Sequence, residues 1–445
     1  MPKITHRKKR LSSFKLIVLG FAGVIVLGAL ILMLPFSSTA GVVTPFHEAL
    51  FTSTSAVCVT GLVVQDTGSY WSAFGQTVIL LLIQIGGLGV VTVAALFAML
   101  SGRKISLMQR STMQDAISAP KVGGIVRLTR FIVRGTFLIE LIGMIVMLPT
   151  FCGNFGIKGI WMAAFHSISA FCNAGFDILG TAENKYPSLT GYIGEPTINI
   201  AIMLLIIVGG IGFLTWDDIY TNKWHFKKYR MQSKVILVTT AILIIAPAIF
   251  FFFCDFTGLP LAERILASLF QSVTPRTAGF NTADLPAMTG SSKAIMTLLM
   301  LVGGSPGSTA GGMKTTTLAV LILSAFSVCR KKDDAEVCGR RIDGSAVKNA
   351  ATVAVMYFLL FFVGGIVIST AEGLPLSTCL YETASAVGTV GLTLGITPQL
   401  GVLSQLILIV LMYLGRVGGL TLIYAAISNK NQSGAKLPLE KITVG

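Results

Sequence analysis

A loop that closes on glycine recurs four times along this chain, each time after a short apolar segment. The four glycines are Gly61, Gly175, Gly279 and Gly391, which stand 114, 104 and 112 residues apart, and a large apolar residue follows each. Six residues before the glycine, three copies carry serine and one carries valine: Ser55, Ser169, Ser385 and Val273. Four copies of one unit in a single polypeptide can surround a common axis, which indicates a pore.

The apolar residues are gathered into long runs. Mean hydropathy is +0.79, with 53% hydrophobic and only 12% charged residues, which is unlike a soluble domain. Four runs have about the 20 residues that cross a bilayer, namely 14–34, 125–148, 235–253 and 347–368. Four more follow the glycine loops, at 75–100, 197–213, 294–326 and 401–427. We expect eight membrane helices, since backbone polar groups in lipid must be satisfied internally; a soluble protein with deeply buried helices is the alternative.

Each unit comprises a membrane helix, a short re-entrant segment, the glycine loop and a second membrane helix. The re-entrant segments, too short to span a bilayer, are 45–57, 159–171, 262–274 and 376–386. The predicted repeats are 14–100, 125–213, 235–327 and 347–428. The predicted cytosolic segments are 1–13, 101–124, 214–234, 328–346 and 429–445. The predicted fold class is an all-α polytopic membrane protein, with eight transmembrane helices and four re-entrant pore helices around one pseudo-fourfold pore.

Basic residues fix the expected topology. Residues 1–15 hold six Lys and Arg, 101–130 six, 214–234 five and 314–348 seven. By the positive-inside rule these segments are cytosolic, so both termini lie inside and every glycine loop faces outside. The net charge of +15 mostly reflects this asymmetry, and a nucleic-acid partner is not needed to explain it. The basic N-terminus imitates a signal peptide, but the following apolar run is too long for one and has no clear cleavage site.

Four loops at membrane depth are tolerated together if they line one water-filled cavity. Rings of carbonyl oxygens can then replace the water shell of a permeant cation. Glycine gives each loop access to backbone angles that other residues resist. The negative end of each re-entrant helix would further favour a cation.

Two of the loops carry specific motifs. The first reads Val59-Thr60-Gly61-Leu62, and residues 274–280 read T-P-R-T-A-G-F. From Phe14 to about Ser428 the chain resembles the Trk/Ktr/HKT superfamily of potassium transporters, in particular the Ktr-type membrane subunit. The resemblance implies channel-like potassium uptake across the bacterial plasma membrane, with sodium stimulation as part of the expectation. It implies that potassium is bound by backbone carbonyls of Val59, Thr60, Gly61, Asn173, Ala174, Gly175, Thr277, Ala278, Gly279, Thr389, Val390 and Gly391.

The loops also indicate selectivity. In the plant branch of the superfamily, serine at the first filter glycine goes with sodium selectivity, whereas all four positions here are glycine, which favours potassium. One equivalent position nevertheless differs among the loops, being Cys58, Cys172, Arg276 and Gly388. This divergence predicts a looser filter, through which sodium or rubidium can leak.

Residues 303–314 break the third post-loop helix with glycines and a proline. A phosphate-binding loop is a near miss, because Met313 stands where its lysine should follow and no strand precedes it. Close packing of small residues is a second interpretation. The resemblance implies an intramembrane gating loop below the filter. The expected gate residues are Gly303, Gly304, Ser305, Pro306, Gly307, Ser308, Thr309, Gly311, Gly312 and Arg416.

Arg416 is an arginine inside an expected span, where an unpaired charge is expensive. It lies 25 residues past Gly391, as Gly304 lies 25 past Gly279, so the two should share a depth. The resemblance implies that this arginine contacts the gating loop and helps to block the pore. Snorkelling to the inner surface is the alternative.

Other polar and small residues fit structural roles. Close helix packing is the preferred interpretation of two glycine clusters, one ending at Gly89 and one at Gly212. Glu140 and Arg134 form a candidate intramembrane pair. The seven cysteines show no metal-binding spacing; buried thiols are favoured, with a disulfide near the outer side left open.

Three functions compete. Gated, channel-like potassium uptake leads. A coupled potassium/sodium or potassium/proton symporter needs a membrane-embedded ionisable relay, for which Glu140 and Arg416 are the few candidates. An intramembrane enzyme could use Ser305 or Ser308 as nucleophile, but no histidine lies in the interior of a span; no enzyme is expected.

No cofactor is expected in this chain, and its short loops hold no nucleotide-binding domain. The resemblance implies a homodimer on a cytosolic ring of nucleotide-binding regulatory subunits of the RCK type. The basic loops and the tail 429–445 could reach such a ring, or could meet anionic lipid headgroups of the membrane.

Overall fold

The computed structural model describes residues 12–101, 105–117 and 123–419, together with the single positions 421 and 440. The basic N-terminal cluster and the tail 429–445 therefore lie, but for residue 440, outside the described residues. Within the described ranges the chain forms sixteen α-helices and one short β-hairpin. The all-helical fold class predicted from the apolar runs is confirmed.

The elements follow the order of the predicted repeats. The first repeat and the segment after it contain α1 (Ser13–Leu32), α2 (Phe46–Val57), α3 (Ala73–Leu88), α4 (Val90–Leu100) and α5 (Leu107–Ile117). The second repeat and the segment after it contain α6 (Ile125–Phe155), α7 (Lys158–Phe171), α8 (Pro196–Gly210) and α9 (Phe213–Asn222). The third repeat and the segment after it contain α10 (Met231–Cys254), α11 (Leu261–Val273), α12 (Gly290–Leu301), α13 (Thr315–Cys329) and the hairpin of β1 (Glu336–Val337) and β2 (Arg340–Arg341). The fourth contains α14 (Gly344–Glu372), α15 (Leu376–Gly388) and α16 (Val402–Val417).

Four helices are apolar and long enough to cross a membrane by themselves, α1, α6, α10 and α14. One third or less of the most apolar window of each is buried inside the protein. The remaining apolar surface would be unfavourable in water, so these helices present it to lipid. They begin and end within a few residues of four predicted spans, apart from extensions at the ends of α6 and α14.

The helices that follow the loops are bent. α3 and α4 meet at 95°, and α8 and α9 meet at 98°. The bends fall at Gly89 (φ 84°) and Gly212 (φ 91°), which adopt backbone angles that residues other than glycine resist. The predicted span over 75–100 is therefore broken by a bend, which apolarity alone does not report. Gly418 ends α16 with nearly the same angles, φ 86° and ψ 136°.

The four short helices α2, α7, α11 and α15, here called the pore helices, match the predicted re-entrant segments to within two residues. Each packs against the first helix of its own repeat. The contacts α3 with α7, α8 with α11, α12 with α15 and α16 with α2 then join each repeat to the next and the last to the first. The repeats therefore form a closed circle, although their exact boundaries stay a prediction.

A hydroxyl ties each pore helix to the first helix of its repeat. The side-chain donors and their carbonyl acceptors are Ser53 to Ile25 (2.7 Å), Ser167 to Glu140 (2.5 Å), Ser272 to Ile244, and Thr383 to Phe361 (3.0 Å). Buried hydroxyls need such partners, so these bonds explain why polar residues occur inside helices at membrane depth. They hold the C-terminal ends of the pore helices, and hence the glycine loops, at one level.

Candidate ion pathway

The four glycine loops share one backbone conformation. Each contains two left-handed residues separated by one other residue. The pairs are Val59 and Gly61 (φ 54° and 91°), Asn173 and Gly175 (58° and 69°), Thr277 and Gly279 (70° and 84°), and Thr389 and Gly391 (52° and 95°). Left-handed angles cost a non-glycine residue about 1–2 kcal/mol. Their repetition in four loops shows that the surrounding protein imposes this conformation.

The recurrent serine braces its loop. The Oγ atoms of Ser55 and Ser385 each accept a hydrogen bond from the N–H of the loop glycine at 3.0 Å. Ser169 instead donates to the carbonyl of Phe176 at 2.8 Å. In the third loop, where valine stands at the serine position, Thr274 supplies the hydroxyl and donates to Phe280. The brace is thus present in all four copies, shifted by one residue in the third.

The glycines bring the four loops together in a closed ring. A Cβ atom added to Gly61 would lie 2.5 Å from the carbonyl oxygen of Ala174. The equivalent distances are 2.6 Å from Gly175 to Ala278, 2.4 Å from Gly279 to Val390, and 2.1 Å from Gly391 to Thr60. Each glycine therefore abuts the backbone of the next loop, and the fourth abuts the first. The twelve residues predicted to form the filter lie in this ring; their role in selectivity stays a prediction.

In two of the copies, the position that differs among the loops holds a side chain that faces the scaffold. The Arg276 guanidinium is buried and donates to the Oγ1 of Thr240 in α10 at 3.3 Å. The thiol of Cys172 lies 3.7 Å from Gln84 in α3. These two side chains vary the support behind the ring, whereas the ring itself is built from backbone.

Residues 303–314 form a loop between α12 and α13, directly against the ring. A Cβ atom on Gly311 would lie 2.1 Å from the Oγ1 of Thr389, and one on Gly303 would lie 3.1 Å from the Cγ2 of Thr277. The ends of the loop meet through the N–H of Gly303, which donates to the carbonyl of Met313 at 2.7 Å. The predicted break in the third post-loop helix is therefore present, and it places the loop next to the predicted filter.

Backbone bonds fasten this loop to the bend between α8 and α9. The N–H of Phe213 donates to Gly307 at 2.7 Å, and the N–H of Ser305 donates to Gly210 at 2.9 Å. A Cβ atom on Gly212 would lie 2.7 Å from the carbonyl oxygen of Pro306. The glycine cluster ending at Gly212 thus provides a bend that holds the loop, in addition to the close packing that was expected of it. Residue type alone gave no signal for the role of Phe213, since the bond comes from its backbone.

Arg416 crosses from the fourth repeat to the loop. Its guanidinium donates to the carbonyls of Thr309 and Gly86, and to that of Gly87 at 3.3 Å. Hydrogen bonds to a charged donor are among the stronger ones in proteins. These inward contacts contradict the snorkelling alternative and link the loop, the bend after α3 and α16. A role in gating stays a prediction.

A cavity of about 280 Å³ adjoins the loop on the side away from the glycine ring. Its lining includes Gly307, Lys314, Arg416 and the end of α5 at Asp115 and Ile117. A Cβ atom on Gly307 would lie 2.4 Å from the carbonyl oxygen of Ile117. α5 therefore reaches the loop from the segment between the first two repeats, a contact that sequence patterns did not indicate.

Acidic residues lie on the opposite side of the ring, in the connections that follow the pore helices. Asp66 accepts hydrogen bonds from the backbone of Ser69 at 2.8 Å and of Tyr186 at 2.9 Å, which joins the first connection to the second. Asp177 follows the second loop by two residues. Burial and the nearby Asp66 charge raise the pKa of Asp177 to about 7. Its charge therefore changes near neutral pH.

Two further sequence expectations have structural outcomes. Glu140 is 4% exposed, and its carboxylate accepts a hydrogen bond from Gln84 at 3.4 Å. Arg134 is exposed and forms no ion pair with Glu140 within the described ranges, so the proposed pair is wrong. All seven cysteines, each in a described segment, are free thiols.

Comparison with known proteins finds a family and a solved structure to which this chain is similar. Residues 13–434 match the family model described as TrkH, cation transport protein. The chain is 39% identical to the potassium/sodium uptake protein NtpJ of Enterococcus hirae over 98% of each chain. It is 37% identical to the Ktr system potassium uptake protein B of Bacillus subtilis, over 97% of this chain and 96% of that protein. The crystal structure of the potassium transporter TrkH from Vibrio parahaemolyticus has the same fold, with a TM-score of 0.74 at 18% identity, covering 96% of this chain and 87% of that one.

Proposed function

The chain belongs to the TrkH family of cation transport proteins, and on that premise we propose that it is a gated, channel-like potassium uptake protein. Membership in a family of cation transport proteins makes it a membrane transporter and not an enzyme. The proposal concerns the ion, the path and the gate. It is supported chiefly by the closed ring in which each loop glycine abuts the backbone of the next loop.

The ring suits a dehydrated cation. Backbone carbonyls are hard oxygen ligands, and four loops with the same left-handed angles can present them to one axis. The C-terminal ends of four pore helices point toward the ring and add negative potential. The side chains behind the ring, those of Arg276 and Cys172, then set how rigidly the carbonyls are held.

The choice of potassium follows from the relatives. Two similar proteins carry potassium uptake in their names, and all four ring positions here are glycine. The name potassium/sodium uptake protein, borne by a relative with 39% identity, favours a second candidate in which sodium also passes or is coupled to potassium. The buried Glu140, which lies near the second loop, is the ionisable group on which a coupled mechanism could depend.

In the proposed mechanism the loop at residues 303–314 is the gate. It lies against the ring, and its backbone is held by the bend at Gly212 and by Arg416. Ion passage requires that these bonds break and that the loop moves into the adjoining cavity of about 280 Å³. Small residues permit this movement because they carry little side-chain bulk.

The proposed location is the bacterial plasma membrane, with the glycine ring toward the outside and both termini in the cytosol. The distribution of Lys and Arg supports this orientation. We further propose a homodimer that works with a cytosolic nucleotide-binding ring of the RCK type. Two relatives are named as parts of a Ktr system, which supports the existence of separate components.

The decisive experiment uses liposomes that contain only the purified protein. Rubidium and potassium influx are measured under an imposed voltage, with sodium on one side or on neither. Influx that follows voltage without a sodium or proton gradient is the expected result. Influx that appears only with such a gradient would replace the channel-like proposal with the coupled one.

Glu140→Gln provides the matched test of the coupled candidate. The amide keeps the approximate shape of the carboxylate and one of its acceptor oxygens, replaces the other oxygen with an NH2 donor, and removes the charge. A channel-like pore should retain its voltage-driven flux in this variant. A coupled transporter that uses this carboxylate should lose its dependence on the second gradient.

A further inference from the structure

The short segment that follows the bend at Gly212 has an unusual surface. α9 runs at 98° to α8, so it lies along the membrane surface when α8 crosses the membrane. The C-terminal end of α9 and the following turn expose three aromatic side chains, Tyr220 (75% exposed), Trp224 (98%) and Phe226 (45%). Exposed lysines alternate with them. We call Tyr220, Lys223, Trp224, Phe226, Lys227 and Lys228 the α9 surface.

The positive charge of this surface is not neutralised by the protein. Within the described residues no carboxylate lies within ion-pair distance of Lys223, Lys227 or Lys228. Arg230, in contrast, is already paired with Asp217 at 2.8 Å and Asp218 at 3.4 Å. Three lysines therefore remain available to an anionic partner.

A cleft of about 460 Å³ opens between α9 and the beginning of α6. Its lining combines the apolar side chains of Leu128 and Phe131 with polar groups, namely those of Arg127, Tyr220, Thr221 and the ion pair of Asp217 with Arg230. The rings of Phe131 and Tyr220 lie 5.4 Å apart and close one wall. Such mixed lining suits a molecule with an anionic head and an apolar body.

We propose that the α9 surface and this cleft bind an anionic phospholipid of the adjacent membrane leaflet. Tryptophan and tyrosine prefer the headgroup level of a bilayer, and lysines there are attracted to anionic lipid. A short helix that lies in the interface with basic and aromatic residues is the expected form of such a site.

The site is connected to the proposed gate through α9 itself. α9 begins at Phe213, whose N–H donates to the carbonyl of Gly307 at 2.7 Å. Trp216 fixes the helix between them, because its Nε1 donates to Val208 at 2.9 Å and its ring lies 5.7 Å from that of Phe171. Lipid that holds α9 in place also holds the loop against the ring. Bound anionic lipid should therefore favour the closed state, a consequence that rests on the proposed function.

The flux test compares three proteins in two kinds of vesicle. The site variant is Lys223→Gln/Lys227→Gln/Lys228→Gln. The matched control, Arg330→Gln/Lys331→Gln/Arg340→Gln, removes the same charge from residues 330–341, which contain no aromatic residue. In phosphatidylcholine vesicles all three should conduct rubidium equally. In vesicles that also contain phosphatidylglycerol, the site variant should conduct several-fold more than the other two, which experience the same surface potential.

The binding test needs no flux. Trp224 should be quenched more by brominated phosphatidylglycerol than by equally brominated phosphatidylcholine, and Trp224→Phe should remove this difference. In the site variant the preference should fall, by roughly fivefold in binding for each lysine removed. Inorganic phosphate added to phosphatidylcholine vesicles should not reproduce the effect on flux.

The outcomes separate the two proposals. Equal quenching by both lipids, or equal flux of the three proteins in phosphatidylglycerol, overturns the lipid site and leaves this face to a protein partner. If inorganic phosphate reproduces the effect on flux, the lysines bind a free anion and not a lipid, which likewise overturns the lipid site. If no vesicle shows rubidium flux, the proposed function fails, while the quenching measurement still decides the site.

Discussion

The glycine ring and the level beneath it are built in different ways from the same four repeats. In the ring, every repeat contributes one loop with the same pair of left-handed residues and the same contact to its neighbour. Beneath it the repeats diverge. The first and second repeats turn sharply at Gly89 and Gly212, and the fourth ends α16 at Gly418 with nearly the same backbone angles. The third repeat instead contributes the whole loop at residues 303–314. The fourth adds Arg416.

This difference indicates how selection and control can be separated. A ring in which each part abuts the next resists movement, because shifting one loop requires shifting its neighbours. A single loop held by a few hydrogen bonds can move while the ring stays intact. We therefore expect substitutions in the ring to alter which ion passes, and substitutions beneath it to alter how often ions pass.

The largest effect is expected from Gly61→Ser. The new Cβ atom would lie 2.5 Å from the carbonyl oxygen of Ala174, at a φ of 91° that serine resists. Strain of about 1–2 kcal/mol, combined with this contact, should reduce the potassium over sodium permeability ratio roughly tenfold or more. Reversal potentials in bi-ionic conditions measure the ratio.

Gly41→Ser is the matched control, since Gly41 also has a positive φ of 68° but no atom within 4 Å of an added Cβ. It should leave the permeability ratio unchanged. An unchanged ratio in Gly61→Ser as well would remove the ring from the proposed filter.

The next effect is expected at Arg416. Its replacement by alanine removes the hydrogen bonds to Thr309, Gly86 and Gly87. With charged hydrogen bonds contributing about 1.5–3 kcal/mol, the closed state should lose stability and flux should rise roughly tenfold or more without a change in selectivity. Deletion of residues 305–311 should act in the same direction. Arg134→Ala, at an exposed site, is the control; lower flux with normal membrane insertion would indicate that Arg416 is needed only for packing.

A smaller effect should distinguish two bends with nearly equal angles. Gly89 has no neighbour closer than 4.0 Å to an added Cβ atom, whereas Gly212 would place one 2.7 Å from Pro306. Alanine at either position should lower thermal stability by about 1–2 kcal/mol. Only Gly212→Ala should also change flux, by a few-fold, with selectivity preserved. Equal flux changes in both variants would mean that strain in the bend, not contact with the loop, controls opening.

The smallest effect concerns pH. Because the pKa of Asp177 is raised to about 7, this carboxyl is mostly ionised at pH 8 and mostly neutral at pH 6. Loss of a negative charge near the ring lowers the local cation concentration, so flux at low potassium should fall roughly twofold over this range. The effect should shrink at high salt. Asp177→Asn should abolish it and Asp284→Asn, at an exposed site, should not.

Much of the frame could be predicted from sequence because it depends on apolar length and residue spacing. The long runs gave α1, α6, α10 and α14, and the short segments before each glycine gave the pore helices. The serine six residues before the glycine indicated that the four loops share one register. Its absence in the third copy could not reveal that Thr274 takes over the brace from the next position.

The inner level was harder to predict for a physical reason. Its key contacts are made by backbone groups, such as the N–H of Phe213 and the carbonyls of Ile117 and Gly307, and these are present at almost every residue. The bends at Gly89 and Gly212 had a sequence signal in the glycine clusters, but close packing explains such clusters equally well. Arg416 was predictable because a buried charge must have partners, although not which carbonyls those would be.

The closed ring has a genetic consequence. In an oligomer of identical chains every substitution is copied around the symmetry axis. Here the four quadrants are encoded separately, so one codon change alters a quarter of the wall and leaves three quarters as they were. One equivalent position beside the ring already differs among the four repeats, being Cys58, Cys172, Arg276 and Gly388. Ion preference in such a chain can evolve in small steps, each tolerated by the unchanged quadrants.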